Sequence, residues 1–147
     1  MIAVVQRVRE ASVSVEEDGY SAAIGQGLCV LLAVEGGDTE PPADWMANKL
    51  ARLRIFADEQ GRMNRSVLDV GGEVLLISQF TLAGDCARGH RPSFESAAEP
   101  QLGRELYERV AERLAAEHGV VVKTGVFGAM MQVSLVNDGP VTVIVHR

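Results

Sequence analysis

Residues 100–119 have the clearest helical period in the 147-residue chain, and this period limits the folds that the chain can adopt. Apolar side chains recur there every four residues, which places them on one face of a helix. Pro100 suits a first helical turn, and Gly119 suits the left-handed residue that follows a helix. The apolar residues of this period are Leu102, Leu106, Val110 and Leu114. A helix with one apolar face has to cover an apolar surface.

The other segments predict one further helix and several strands. The further helix begins at Pro41 and Pro42, and Asp44 favours the positive end of its dipole. The predicted strands are residues 3–8, 11–15, 20–24, 28–34, 74–77, 120–122, 133–136 and 143–145. This order is typical of a mixed sheet with two helices packed on it, rather than of a doubly wound parallel sheet. We therefore expect an α/β fold of the mixed α+β kind, in a single domain over residues 1–147.

Charge and loop length bear on the partners of the protein. The formal net charge of −6 argues against a broad nucleic-acid-binding surface, which needs many phosphate contacts. Residues 83–99 predict a long irregular loop, and loops of this length are often functional. Within it, Arg88, His90 and Arg91 form a local basic cluster.

Polar turns are predicted at residues 16–19 and 58–61.

The sequence has no pattern that predicts export, membrane insertion or metal binding. No apolar run approaches the ~20 residues of a membrane span. The N-terminus lacks the pattern of a signal peptide, so we expect a cytoplasmic protein. Two cysteines and three histidines are scattered without the spacing of a metal site or of a disulfide framework. We expect neither a metal nor another cofactor.

Two groups of residues are candidates for a nucleophile. Cys86 and His90 lie four residues apart in the polar loop, but a loop does not fix their geometry and no third orienting group is visible. An ordinary exposed thiol is the simpler interpretation. Ser78 and Thr81 follow a buried strand, but no histidine or aspartate lies near them in sequence. Hydroxyl groups at strand ends commonly bond to the backbone instead.

Residues 137–142, with the sequence NDGPVT, lie between two apolar runs and predict a tight turn or loop. Gly139 has no side chain to cover its backbone, and Pro140 has no N–H, so the segment is rich in bare carbonyl acceptors. Such carbonyls could hold an ammonium group without reading a side chain. A structural hairpin turn is the simpler interpretation, and the spacing alone leaves both open.

Two motifs, in this order along the chain, resemble the signature motifs of the D-aminoacyl-tRNA deacylase family. They are Ser78-Gln79-Phe80-Thr81-Leu82 and Asn137-Asp138-Gly139-Pro140-Val141-Thr142. Residues 5–8, 54–56, 61–64, 91–94 and 131–136 are also similar to the family. The resemblance implies a three-layer α/β/β fold and a homodimer whose active sites lie at the subunit interface. The chain departs from the family pattern at Met130, where an acidic residue is usual, and at Cys86, where threonine is usual.

The resemblance also implies roles for individual residues. The Gly139–Pro140 bond would be cis, and each subunit would insert this pair into its partner's pocket. There the carbonyls would hold the α-amino group of the substrate and leave no room for an L side chain. Arg7 would hold the segment in place. The residues implied to line the pocket are Ser78, Gln79, Phe80, Thr81 and Met131, with the backbone N–H groups of Phe80 and Thr81 facing the ester carbonyl.

The implied reaction is hydrolysis of the ester bond of D-aminoacyl-tRNA and of mischarged glycyl-tRNA, a chiral proofreading step in translation. The ester is already activated and the terminal ribose carries a 2′-hydroxyl, so positioning and an oxyanion hole are expected to suffice without a protein nucleophile. Arg88, Arg91 and Lys123 are the candidates for contact with the acceptor end of the tRNA, and no DNA or membrane partner is expected. Two alternatives remain open: a binding module for free D-amino acids or small amines, and a scaffold dimer in which the Gly139–Pro140 pair is only a turn.

Overall fold

A mixed sheet and two helices make up the described part of the chain, which in this computed structural model comprises residues 1–17 and 19–147. The strands are β1 (Ile2–Val15), β2 (Tyr20–Ile24), β3 (Gly27–Ala33), β4 (Phe56–Ala57), β5 (Met63–Arg65), β6 (Glu73–Ser78), β7 (Val121–Thr124) and β8 (Gln132–His146). The helices are α1 (Glu40–Arg52) and α2 (Pro100–Ala116), with a short 3-10 helix over Phe80–Ala83. The turn predicted at residues 16–19 includes Asp18, which lies outside the described residues.

Strand β1 organises the sheet, because it has partners along both of its edges. One edge pairs antiparallel with β3 through its first half and with β2 through its second half, and the other edge pairs with β8. Strands β6 and β7 continue the sheet beyond β3 in parallel. The Tyr20 hydroxyl donates to the Thr124 carbonyl at 2.7 Å, which joins β2 to β7 and gives the sheet a barrel-like closure.

The core lies on both faces of the central strands β3 and β6. Alternate residues of a strand point to opposite faces, so Leu76 packs in the cluster beneath the helices and Ile77 packs in a second cluster on the other face. Helix α2 buries Leu106, Val110 and Leu114 against the first cluster. The predicted mixed α/β architecture with two helices is confirmed. No helix among residues 1–17 and 19–147 is both long and apolar enough to cross a membrane.

Ion pairs join the exposed sides of the two helices. Arg109 donates from Nε and Nη2 to the two carboxylate oxygens of Asp44, at 2.7 and 2.9 Å, and Arg113 lies 3.1 Å from the same carboxylate. The Arg109 guanidinium, with help from Arg113, holds the pKa of Asp44 below its ordinary value. Arg109 and Arg113 therefore each already have an anionic partner.

The prediction of a turn at residues 137–142 is wrong, because β8 runs continuously through them. Gln6 lies opposite Thr142 and Val8 lies opposite Asn137, so residues 138–141 lie opposite Arg7 alone. Both flanking apolar runs pair with the same strand β1 in one direction, so the chain cannot reverse between them. The extra residues form a bulge instead. For the same reason the two strands predicted at residues 3–8 and 11–15 are one strand, β1.

Candidate active site

The motif at residues 78–82, which we call the donor turn, follows the C-terminal end of β6. The N–H of Gln79 donates to the Leu32 carbonyl at 2.8 Å, and the 3-10 helix begins at the next residue. The N–H groups of Phe80 and Thr81 donate to no acceptor within the described residues, because the first N–H groups of a helix have no partner inside it. Two adjacent N–H groups are therefore available to a carbonyl oxygen that gains negative charge.

The hydroxyl groups of the donor turn have no activating base. The side-chain amide of Gln79 donates to Thr81 Oγ1 at 2.5 Å, and an amide cannot remove a proton. No carboxylate or imidazole of residues 1–17 and 19–147 bonds to the hydroxyl of Ser78 or Thr81. Burial raises the pKa of the Cys29 thiol to about 11, so that thiol stays protonated at neutral pH. This arrangement favours positioning and oxyanion binding over covalent catalysis.

A cavity of about 400 Å³ opens beside the donor turn. The residues that line it include Ser78, Phe80, Phe94 and Phe127. The rings of Phe80 and Phe94 meet edge to face, with centroids 5.2 Å apart. No motif around Phe94 or Phe127 predicts a role for either residue. The only available signal was an aromatic residue within an otherwise polar loop, which does not by itself predict a cavity.

Met131 packs against the strand that leads into the donor turn. It lies in the second hydrophobic cluster with Ile77. A Cβ placed on Gly125 would lie 2.5 Å from the Met131 sulfur, so a side chain at this position would displace the end of Met131. The Gly125 N–H donates to the Leu76 carbonyl at 3.2 Å and fixes the position of the chain. The neighbouring Met130 is 90% exposed.

Residues 137–142, which we call the acceptor segment, carry the bulge of β8. Gly139 and Pro140 are exposed, and the peptide bond between them is cis. Gly139 has a φ of +138°, and a Cβ on it would lie 2.7 Å from the backbone nitrogen of Val141. A residue with a side chain is therefore strained at this position. The exposed centre of the segment consists of backbone and a proline ring, without a polar side chain.

Arg7 connects the acceptor segment to the chain before β4. Its Nε donates to the Asp138 carbonyl at 2.9 Å and lies 3.2 Å from the Asp138 carboxylate. Its Nη1 donates to the Ile55 carbonyl. The Arg7 side chain is only 13% exposed, so these charge-assisted hydrogen bonds are shielded from water. They restrain the bulge on the side that faces the protein.

The donor turn and the acceptor segment of one chain lie far apart on the sheet. Ser78 is opposite Leu32 and Leu32 is opposite Ala3, whereas the bulge is opposite Arg7. Three strand spacings and the four residues from Ala3 to Arg7 separate them, or about 20 Å along the sheet at ~4.8 Å per strand and ~3.3 Å per residue. In an aminoacyl ester only the α-carbon separates the amino group from the carbonyl. Along the sheet of one chain, the two segments are therefore much farther apart than the two ends of one aminoacyl group.

The predicted tRNA-contacting residues Arg88 and Arg91 are exposed on the loop that follows the 3-10 helix. Two backbone hydrogen bonds close the base of this loop, from Asp85 N–H to the Ser93 carbonyl at 2.8 Å and from Ser93 N–H to the Asp85 carbonyl at 2.9 Å. Lys123 is exposed on β7. Within the part of the chain that the structure describes, neither arginine forms a salt bridge.

Comparison with known protein families agrees with these motifs. The family model described as D-Tyr-tRNA(Tyr) deacylase matches residues 4–146. The chain belongs to the D-aminoacyl-tRNA deacylase family. It is therefore an enzyme, a hydrolase that deacylates D-aminoacyl-tRNA, and the interpretations as a binding module or a scaffold are set aside.

Curated members of the deacylase family are similar over almost the whole chain. The D-aminoacyl-tRNA deacylase of Pelobacter propionicus is 56% identical over 147 residues, which cover 100% of both chains. That of Thermotoga petrophila is 57% identical over 144 residues, which cover 98% of this chain and 95% of the relative. That of Geobacter sulfurreducens is 56% identical over 144 residues, which cover 98% and 93%.

Solved structures share the fold of this deacylase. The structure of a c-Myc DNA unwinding element binding protein superposes with a TM-score of 0.93 at 41% identity, over 100% of this chain and 99% of that chain. A probable eukaryotic D-amino acid tRNA deacylase superposes with a TM-score of 0.85 at 17% identity, over 98% and 97%. The second likeness concerns the fold alone.

Proposed function

We propose that the protein acts as a homodimer, in which the acceptor segment of one subunit completes the donor turn of the other. The observation that carries this proposal is the strand register, which places the two segments of one chain about 20 Å apart along the sheet at the strand spacings given above. A symmetric pair of subunits forms two equivalent composite sites, because each contact in such an interface occurs twice. A monomer would contain both segments but no complete site.

The exposed surface of β8 supports association with a second copy. Val133, Val136 and Ile144 are 37%, 47% and 70% exposed, although all three are large and apolar. Within the described residues β8 pairs only with β1, so its other edge has no strand partner. Exposed apolar patches and open strand edges are typical of surfaces that a partner covers. The acceptor segment lies on this same strand.

In the proposed site the two ends of the aminoacyl group are held by opposite parts of the backbone. Carbonyl groups at Gly139 and Pro140 of one subunit hold the α-ammonium group. The N–H groups of Phe80 and Thr81 of the other subunit receive the ester carbonyl oxygen, with Ser78, Gln79 and Met131 around it. An L side chain would point at the acceptor segment and be rejected, whereas a D side chain points away. Glycine has no side chain to reject, so mischarged glycyl-tRNA is also a substrate.

Hydrolysis requires one water molecule and no covalent enzyme intermediate. The water oxygen bonds to the ester carbonyl carbon, the bond to the ribose oxygen breaks, and a water proton passes to the ribose oxygen. The products are a free D-amino acid and tRNA. The vicinal 2′-hydroxyl of the terminal adenosine assists the proton transfer, while the two N–H groups stabilise the oxyanion.

The acceptor end of the tRNA is assigned to Arg88, Arg91 and Lys123, because these exposed cations lie on a protein of net charge −6. One similar structure has a name that refers to DNA binding. An acidic chain with a few local cations is better suited to a short tRNA end than to a long duplex. The proposal also places the protein in the cytoplasm and treats residues 1–147 as a single domain.

Mixed dimers of two inactive variants test the composite site. Phe80→Pro removes one N–H at the first position of the 3-10 helix, where proline is tolerated, and Gly139→Val strains the acceptor segment. Each variant alone has both of its sites damaged. Unfolding the two together and refolding them gives mixed dimers, each with one intact site. Hydrolysis of D-aminoacyl-tRNA should then recover to about one quarter of the wild-type rate, because half of the dimers are mixed.

Phe80→Ala is the control for the donor turn, since it keeps the N–H and removes the ring. It should retain at least ~10-fold more activity than Phe80→Pro. If the refolded mixture of Phe80→Pro and Gly139→Val is no more active than either variant alone, although light scattering shows dimers, the cross-subunit site is contradicted. Wild-type protein should hydrolyse D-aminoacyl-tRNA and glycyl-tRNA and leave L-aminoacyl-tRNA intact. Comparable hydrolysis of the L substrate would overturn the proposed selectivity.

A further inference from the structure

The β4–β5 hairpin, together with the residues just before β4, carries exposed arginines that the proposed function does not use. They are Arg54, Arg62 and Arg65. Within residues 1–17 and 19–147 none of the three forms a salt bridge. The three arginines of α2, in contrast, are each paired with a carboxylate. Their positive charge is opposite in sign to the formal net charge of the chain, which is −6.

The carboxylates nearest to these arginines close turns of the backbone. Asp58 accepts two backbone N–H groups of its own turn at 2.9 Å each, one of them from Arg62. Asp69 accepts the N–H and the hydroxyl of Ser66 at 2.8 and 2.7 Å. These hydrogen bonds lower the pKa of both carboxyl groups. Arg65 gives one N–H to the Asp69 carbonyl, which leaves its other donors available to an external anion.

The β4–β5 hairpin adjoins the acceptor segment. Arg7 donates both to the Asp138 carbonyl and to the carbonyl of Ile55, the residue before β4. Arg7, Arg65 and Asp138 also line one recess of about 390 Å³. If the acceptor segment contacts the donor turn of the partner subunit, the β4–β5 hairpin beside it therefore lies next to that composite site.

We propose that Arg54, Arg62 and Arg65 of one subunit bind backbone phosphates of the aminoacyl-tRNA whose ester lies at the donor turn of the other subunit. This inference rests on the proposed function. Phosphates near the 3′ end are the anions closest to the bound ester, and guanidinium groups bind phosphate with two parallel hydrogen bonds. Cations of both subunits then hold a single tRNA end, with Arg88 and Arg91 on the donor side and the hairpin on the acceptor side.

The test compares two double variants on two substrates. Arg62→Gln with Arg65→Gln changes the hairpin, and Lys49→Gln with Arg113→Gln removes the same charge from the helices. The substrates are D-aminoacyl-tRNA and the D-aminoacyl ester of adenosine, which lacks the phosphate backbone. The hairpin variant should lose about 10-fold or more in kcat/KM on the tRNA substrate only. Its log–log salt dependence should become shallower by about 1 for each phosphate that the variant no longer binds. The helix variant should stay within about 2-fold of wild type on both substrates.

Equal losses in the two double variants would indicate a general charge effect and overturn the inference. A matching loss on the adenosine ester would place the defect in the ester site and overturn it as well. Wild-type protein that cleaves neither substrate would refute the proposed function itself. If the hairpin double variant does not unfold cooperatively, Arg62→Gln alone carries the test, because the Arg62 side chain has no hydrogen bond within the described residues. Its expected loss on the tRNA substrate is about 3-fold or more, and an unchanged kcat/KM would contradict the inference.

Discussion

The donor turn and the acceptor segment use opposite halves of the peptide group. The donor turn follows a strand that is buried on both faces, and it offers the N–H groups of Phe80 and Thr81. The acceptor segment interrupts a strand with an open edge, and its exposed centre consists of a glycine and a proline, which has no N–H. Backbone polarity can therefore distinguish the carbonyl end of a substrate from its ammonium end without reading a side chain.

The largest expected effect tests whether these two backbone elements need help from the substrate. A D-aminoacyl-tRNA that ends in 2′-deoxyadenosine, with the ester on the 3′-oxygen, should be cleaved about 100-fold more slowly or worse, because the assisting hydroxyl is missing. Single-turnover hydrolysis at saturating enzyme measures this rate. A competition experiment should show that the deoxy substrate still binds. Unchanged turnover would rule out ribose assistance and direct attention to a protein group.

The next effect tests the support of the acceptor segment. Arg7→Gln removes the charge-assisted bonds to Asp138 and should lower kcat/KM for D-aminoacyl-tRNA by about 10- to 100-fold, because a displaced segment no longer positions the amino group. It should also narrow the preference for D over L substrates. Arg9→Gln is the matched control, since Arg9 is 75% exposed and lies 3.7 Å from the same carboxylate. Equal losses of kcat/KM in the two variants would mean that activity depends on the local positive charge and not on the hydrogen bonds that hold the acceptor segment.

The smallest effect tests the donor turn. Thr81→Ala keeps the N–H and removes a hydroxyl that has no base, so activity should stay within about 3-fold of wild type. The comparison with Phe80→Pro, which removes an N–H, separates the backbone contribution from that of the side chain. A loss of hydrolysis to the level of an empty control, in a protein that still dimerises and binds tRNA, would restore Thr81 as a nucleophile.

Local sequence patterns correctly predicted those helices and strands whose intrinsic propensity agrees with their packing in the fold. The period of α2 and the apolar run of β6 are examples, since each buries the residues that its sequence marks as apolar. The turn chemistry of Asn137, Asp138 and Gly139 was misleading, because a turn prediction takes no account of a partner strand. Strand β1 pairs on both sides of this segment, and that long-range pairing keeps β8 continuous. Element propensity yields to such tertiary contacts.

The site was predictable in its parts but not in its geometry. The two motifs could be located through the family resemblance. Their separation depends on the registers of four strands, which no local pattern specifies. Phe94 lines the cavity because the loop after the 3-10 helix brings its ring against Phe80, whereas Phe127 follows β7 and packs against Tyr107 of α2. The lack of ionic partners at Arg54, Arg62 and Arg65 could not be predicted either, because ion pairs depend on tertiary placement.

The bulge at Gly139 also occupies one particular rung of the ladder between β1 and β8. A slip of β8 by a single residue would move it by about 3.3 Å and turn every side chain of the strand to the opposite face. In the proposed composite site, stereochemical fidelity would thus depend on strand alignment as well as on pocket shape. Pairs such as Val13 with Val133, remote from the acceptor segment, help to keep that alignment. If the proposed site is correct, substitutions of this pair would increase the hydrolysis of L-aminoacyl-tRNA relative to D-aminoacyl-tRNA, although no residue that meets the substrate is changed.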